Sequence, residues 1–423
     1  MSRQGEAQPP PVDASAAVRR FYESHPYPPP VDGLEHYQRM WQDPRRRRAD
    51  HHLFWPARPF RETFSVLVAG CGTSQAAKHA SRWPAAQVTG IDFSEASVRC
   101  TQELKRKHRL DNLQVHQLPI ERAGELGTTF DQIVCTGVLH HLSDPDAGLL
   151  ALRDRLKPDG AMQLMVYAPY GRTGVYMLQD FCRRLGIRAT AGEIRDLIAA
   201  LKALPPGHPL ERLLREAPDF KHEAGIADAL LHPHDRAYSV PQFFDFIDRA
   251  GLTFGRWVKQ ASYSPQCGAP AGIPQASRLA QLRLAEQYAA IELFRGTVVS
   301  HSAIVYRNDN PAPQDVGFAG DDWPGYVPLQ MADTKCLQER LPPGAAAVLL
   351  YPGHTFRDLV MPIDATELSL FAGIDGNRSI GDIVEAHGSI ASRPNVARGF
   401  FERLWWYDQV VFDTSQQRAA ADL

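Results

Sequence analysis

The chain has 423 residues, 46 Lys+Arg against 48 Asp+Glu, a formal net charge of −2 and 44% hydrophobic residues. That length accommodates two or three domains with ample core, and a charged fraction of 22% excludes wholesale disorder. The near-neutral balance argues against a chain-wide nucleic-acid or polybasic membrane binder, and no apolar run approaches the roughly 18 residues that span a bilayer. The N-terminal MSRQGEAQPPPVD lacks a secretory signal's basic-then-apolar order. Six scattered cysteines (Cys71, Cys100, Cys135, Cys182, Cys267, Cys336) form no Cys-x-x-Cys pair, which disfavours a disulfide framework or zinc knuckle and points to a reducing cytoplasm.

Residues 1–16 are polar and Pro-rich, and a short helix from Ala16 is expected to end before Pro26-Tyr27-Pro28. Leu34–Trp41 predicts another short helix leading into Arg45–Arg48. The pattern then becomes regular. Strands are expected at 64–69, 87–91, around Val115, at 130–135 and at 161–167. Helices are expected between them, at 74–83, from an N-capping Ser94 to about His108, and from Pro145 to Leu156 before the stop Lys157-Pro158-Asp159-Gly160. This alternation implies a parallel sheet covered on both faces. A helical insertion follows at about 175–240, then strands at 252–257 and 302–306. Asn308–Asp322 reads as a linker. The expected organisation is an arm or lid over 1–60, an α/β domain over 61–307, and a small C-terminal α+β domain over 323–415.

The segment Val66-Leu67-Val68-Ala69-Gly70-Cys71-Gly72-Thr73-Ser74 places two glycines in a strand-to-helix turn, where backbone and ligand can approach closely. Asp92 closes the next strand, about 20 residues on, where a carboxylate accepts ribose hydroxyl protons. Together these predict an adenosine cofactor. A dinucleotide fingerprint would carry a third glycine where Gln75 stands, which counts against a nicotinamide-dependent oxidoreductase, the alternative reading of this turn.

Five segments in order complete the pattern: Val68–Thr73, Gly90-Ile91-Asp92-Phe93-Ser94, Phe130–Val134, Gly137-Val138-Leu139-His140-His141-Leu142-Ser143-Asp144-Pro145, and Leu156–Gly160. Over roughly residues 16–307 the chain resembles a class I S-adenosylmethionine-dependent methyltransferase, with an arm, Tyr22-Glu23-Ser24-His25-Pro26-Tyr27-Pro28, similar to the Tyr-x-x-x-Pro-Tyr-Pro signature of some bacterial members. The resemblance implies a seven-stranded, mainly parallel, Rossmann-like sheet. The C-terminal domain is similar to a small winged-helix module.

The resemblance also implies roles. Gly70, Cys71, Gly72 and Thr73 would face the methionyl part of S-adenosylmethionine, Asp92 would hold the ribose and Phe93 would lie against the adenine. Ile120 and Glu121 would meet the adenine edge, and Thr136, Gly137 and Val138 would line the methyl-transfer side. Ala69 stands where an acidic residue is frequent. The carboxylates of a magnesium-binding Glu-x-x-Glu-His cluster are missing from the His140-His141 segment, so no metal is expected. The implied activity is methyl transfer to an N, O or C nucleophile of a small molecule or peptide; a non-catalytic cofactor-binding scaffold is the other reading. His140 and His141 are the candidate bases, and Tyr22 and Tyr27 would close over the cofactor. Oligomeric state is not legible.

Three further features are expected to be structural. Arg45–Arg48 reads as a solvated helical face and His232-Pro233-His234-Asp235 as a loop rather than a metal site; Tyr167, Tyr170 and Arg172 stand where acceptor pockets open in such sheets, with Tyr170 and Arg172 read as surface loop residues. Between Asp364 and Ser415 four arginines face eight acidic residues, the wrong sign for a DNA reader and suited to a protein-docking platform, a lid or a packing appendage.

Overall fold

The computed structural model describes residues 14–24, 26–310, 316–388 and 393–415. Most of the polar, Pro-rich N-terminal stretch, His25 of the arm and part of the 308–322 linker lie outside the described residues. Seven strands form one sheet in the order β3-β2-β1-β4-β5-β7-β6. They are β1 (Ser65–Ala69), β2 (Gln87–Asp92), β3 (Leu113–Gln117), β4 (Phe130–Thr136), β5 (Leu156–Tyr167), β6 (Leu252–Trp257) and β7 (Ser300–Arg307). β7 runs antiparallel to both neighbours, and the pairs joining β1 to β5 are parallel. β1 lies between β2 and β4 with both faces covered, which is why Val66, Leu67, Val68 and Ala69 are all apolar and fully buried.

N-terminal helices α1 (Ala14–Ser24), α2 (Glu35–Trp41) and α3 (Pro44–Phe54) precede the sheet; α4 (Gln75–Arg82) and α5 (Glu95–His108) make the first crossovers. Asp43 caps α3 and Ser94 caps α5, each accepting a backbone N–H of the first turn. α6 (Pro145–Arg153) joins β4 to β5. The region predicted as a helical insertion contains α7 (Thr173–Leu185), α8 (Ala191–Leu201), α9 (Glu211–Glu216) and α10 (Glu223–Leu231), and α11 (Val240–Arg249) leads into β6. The insertion builds its own core from residues including Val175, Leu178, Leu197, Leu201 and Ile226. Pro158, Asp159 and Gly160, expected only to stop a helix, lie inside β5, where the pairing with β4 is irregular between Phe130 and Gln132. No described helix is long and apolar enough to cross a membrane.

Beyond the linker, Val327–Gln330 pairs with Val410–Asp413, and Ala347–Leu350 lies between Lys335–Leu337 and Val360–Ile363. Helices Ala365–Ala372, Ile380–Glu385 and Pro394–Trp406 complete this part. Its apolar residues, Leu349, Met361, Phe401 and Phe412 among them, are continuous with the core on the α4 face of the sheet. Three of the four arginines in the run tie elements together, correcting its reading as a solvated face, which holds only for exposed Arg45. Arg46 pairs with Asp333, Arg47 with Glu62, and Arg48 with Asp413 and the Gly376 carbonyl. Asp408 is a second tie: its buried carboxylate meets Arg256 at 2.9 Å, His354 at 3.0 Å and the Ala261 N–H at 3.0 Å.

Candidate active site at the strand ends

The turn after β1 has the backbone its glycines anticipate. Gly70 (φ +66°) and Gly72 (φ +53°) both adopt the left-handed region, and a Cβ on Gly70 would stand 2.4 Å from a Val138 methyl. The Cys71 N–H donates to Ile91, holding the turn on β2, and the thiol is buried. Thr101 donates its hydroxyl to the Gly72 carbonyl, and Thr73 donates to the Pro28 carbonyl, so the Pro-Tyr-Pro arm lies on the turn.

Asp92 ends β2 with one carboxylate oxygen accepting from Gly72 N–H at 2.8 Å and the other from Ser94 N–H at 2.9 Å. Burial raises its pKa to about 6, although these backbone donors oppose the shift. Phe93 is half-buried, with Tyr22 edge-on at 6.1 Å. Ile120 is buried at the start of a 3₁₀ turn, whereas Glu121 is exposed. Thr136, Gly137 and Val138 leave β4 half-buried, and the Thr136 hydroxyl pairs with the Gln75 side chain at 3.0 Å. The two glycines, the inward carboxylate and the covering arm fit a nucleoside cofactor bearing a ribose and a polar tail.

Beside this turn, a polar cluster gathers residues distant in sequence. His140 and His141 are buried, ring centroids 4.2 Å apart, with His141 3.9 Å from His232 and His140 3.9 Å from Tyr167. Burial drives both histidine pKa values down, His141 to about 3, so the rings are neutral near pH 7. Neither His140 nitrogen has a partner among the described residues. Tyr22 donates to Asp228 at 2.9 Å, and Tyr27 donates to Asp219 at 2.6 Å. Burial raises Asp228 to about 7. Arg172, expected at the surface, is buried with its guanidinium 3.5 Å from the Tyr167 ring centroid and 3.4 Å from Asp235; Tyr170 is exposed as expected.

The segment expected as a bland loop therefore supplies His232 and Asp235 to this cluster. Two sets, His140-His141-Asp235 and His141-Asp228-His232, bring potential metal-ligand atoms within 4.8 Å of one another. The His234 N–H donates to His232 Nδ1, which leaves the proton of the neutral ring on Nε2 and withdraws both nitrogens from ligation. Asp235 is shared with the Arg172 guanidinium and the Gln179 amide. In the other set, His141 Nδ1 faces the His234 carbonyl at 2.9 Å and so donates to it, which leaves the Nε2 lone pair of the neutral ring free. Asp228 and Asp219 were not anticipated as site residues from the sequence, and Arg172 was placed near an acceptor pocket but read as a surface loop residue. Asp228 and Asp219 come from the insertion and Arg172 from the turn after β5, with no local motif to announce the carboxylates.

Residues 67–162 match the family model described as Methyltransferase domain. An uncharacterized protein of Synechococcus sp. is 30% identical over 72% of this chain and 74% of its own length. A ubiquinone biosynthesis O-methyltransferase of Albidiferax ferrireducens is 33% identical over 22% of this chain, and that match spans only 38% of the relative. Among solved structures, PKMT2 from Rickettsia typhi in complex with AdoHcy (S-adenosylhomocysteine) aligns over 88% of this chain and 75% of that chain with a TM-score of 0.62 and 16% identity, a likeness of fold. The sheet order, the glycine turn and the family match lead to one conclusion: the chain has the Rossmann-like methyltransferase fold, matches a methyltransferase domain over residues 67–162, and takes S-adenosylmethionine as its cofactor.

Proposed function

We propose that the enzyme methylates an amine nitrogen of a small molecule or peptide, with Asp228 as the proton acceptor. The observation that carries this reading is the buried Asp228 carboxyl, held by Tyr22 at the centre of the polar cluster. Three carboxyl groups, Asp219, Asp228 and Asp235, are set against one guanidinium, Arg172, and Tyr22, Tyr27 and Tyr167 contribute aromatic rings. That balance favours an acceptor arriving as an ammonium ion, which carboxylates and ring faces attract. An ammonium nitrogen has no lone pair, so a proton must leave before it becomes a nucleophile. A carboxyl group titrating near 7 can take that proton, whereas histidines held far below neutrality are poor bases. In this proposal the base role assigned by resemblance to His140 and His141 passes to Asp228, and the histidines line and orient the acceptor.

In the same proposal, Gly70 to Thr73 admit the cofactor's polar tail, Asp92 holds its ribose, Phe93 and Ile120 bound the adenine, and Thr136 to Val138 face the transferred group. Glu121, being exposed, contributes at most at the rim. S-adenosylmethionine supplies a methyl already activated on sulfur. The protein's task is to align the amine, exclude water with Tyr22 and Tyr27, and remove the proton, positioning being worth several kcal/mol in such reactions. The 1–60, 61–307 and 323–415 division serves this scheme as arm, catalytic domain and supporting module.

The first test is transfer of labelled methyl from S-adenosylmethionine to amines and to peptides bearing lysine; cofactor binding without transfer to any acceptor would favour the scaffold reading. Asp92→Ala is expected to weaken S-adenosylhomocysteine binding by about 10- to 150-fold, the scale of hydrogen bonds to a charged group, as read by titration calorimetry.

The pH dependence has a definite sign. Ribose hydroxyls donate best to the ionised carboxylate, so affinity should be highest above pH 6 and fall about tenfold per unit below it, following the pKa of about 6. The unliganded fold moves the other way. With the folded pKa raised above the unfolded one, the protonated group's stabilisation is fully present below pH about 4 and is lost as pH rises through 6.

A further inference from the structure

A cavity of about 430 Å³ lies on the α4 face of the sheet, and neither Asp92 nor the polar cluster lines it. Helix α4 presents Gln75, Lys78, His79 and Arg82 to it, residues spaced to share one helical face. The floor includes Val134, Thr136 and Gln163, and Asp333 and Tyr351 of the C-terminal module close the other side. Gln75 and Thr136, both on the lining, are hydrogen-bonded to each other at 3.0 Å.

The charges inside are unbalanced by one. Arg46 is paired with Asp333 at 2.7 Å, and Arg82 with Asp50 at 3.3 Å and with the Tyr37 hydroxyl. Lys78 has no hydrogen-bond or ion-pair partner among the described residues, and burial lowers its pKa. Lys78 is half-buried, whereas two polar atoms at the walls are fully buried without partners among the described residues: His79 Nδ1, on a side chain only 7% exposed, and Trp41 Nε1. Groups of this kind normally find a partner, and each unmet one costs about 1–3 kcal/mol. Phe54, Trp41 and Tyr351 add aromatic surface around them.

We propose that this cavity is a binding site for a small aromatic carboxylate, whose anionic group pairs with Lys78 and whose ring packs among Trp41, Phe54 and Tyr351. The volume falls in the range of small-molecule sites, and the lining mixes aromatic and aliphatic side chains with charged and polar ones. The site shares Thr136 with the wall proposed to face the transferred group, but neither Asp92 nor Asp228.

The test uses the full-length chain and 2-naphthoate as probe, followed by tryptophan fluorescence and calorimetry. One saturable site is expected, undiminished by saturating S-adenosylhomocysteine, with 2-naphthylmethylamine binding about tenfold more weakly or worse. Lys78→Met should weaken naphthoate about 10- to 150-fold, the range for a charge-assisted hydrogen bond, while Lys78→Arg retains binding. Met331→Trp, which fills the cavity from its far wall, should abolish binding independently of α4. Absence of saturable binding, equal affinity for the ammonium analogue, indifference to Lys78→Met and Met331→Trp, or direct competition by S-adenosylhomocysteine would overturn the proposal.

Discussion

Asp228→Asn is expected to lower kcat for an amine acceptor by about 10²–10⁴-fold, the usual contribution of a positioned base, while leaving S-adenosylhomocysteine affinity within about twofold. Asparagine preserves the shape and still accepts from Tyr22, so packing is kept and proton uptake is lost. The wild-type rate should rise with pH through about 7 as the carboxyl ionises, and the variant should lose that limb. Full activity in Asp228→Asn with an unchanged pH profile would return the base role to another group. His141→Asn provides the comparison: it is expected to alter KM more than kcat, because a ring titrating at about 3 carries no proton to or from the acceptor near pH 7.

The second large effect concerns the C-terminal module. Asp408→Asn should destabilise the chain by about 3–5 kcal/mol in denaturant titration, since it leaves buried Arg256 without its counter-charge. The same carboxylate also receives His354 and two backbone N–H groups, Gln260 and Ala261, from the sheet side. With Arg256 at 6% and Asp408 at 3% exposure, solvent cannot replace the lost partner. A loss below about 1 kcal/mol would show that the apolar contacts of Phe401, Leu404 and Phe412 hold the module alone. The ion pairs of Asp408, Arg48 and Arg46 tie this part to β6 and to α3.

The sheet was legible because its signals are local. An uninterrupted apolar run such as Val66–Ala69 must be a central strand, two glycines must make the turn, and an acid at the next strand end must face it. Even the atypical last strand could be placed by its apolar run, although its antiparallel direction is a property of the topology. The polar cluster was only half legible. His140 and His141 announced themselves beside the β4 motif, but Asp228 sits in a helix whose periodicity records only the insertion's own core. Arg172 looked like a loop residue because the Tyr167 ring that covers it is set by tertiary packing. The Arg45–Arg48 run carried the same ambiguity. A charge run looks solvated until its partners, 15 to 365 residues away, are known.

The measurement closest to the central claim is a crystal structure with S-adenosylhomocysteine soaked or co-crystallised at neutral pH. The account predicts the ribose hydroxyls within hydrogen-bond distance of the Asp92 carboxylate, the adenine against Phe93, and the sulfur facing Thr136–Val138 with Asp228 across the gap. Density for the nucleoside elsewhere, with Asp92 still engaged only by the Gly72 and Ser94 amides, would contradict it.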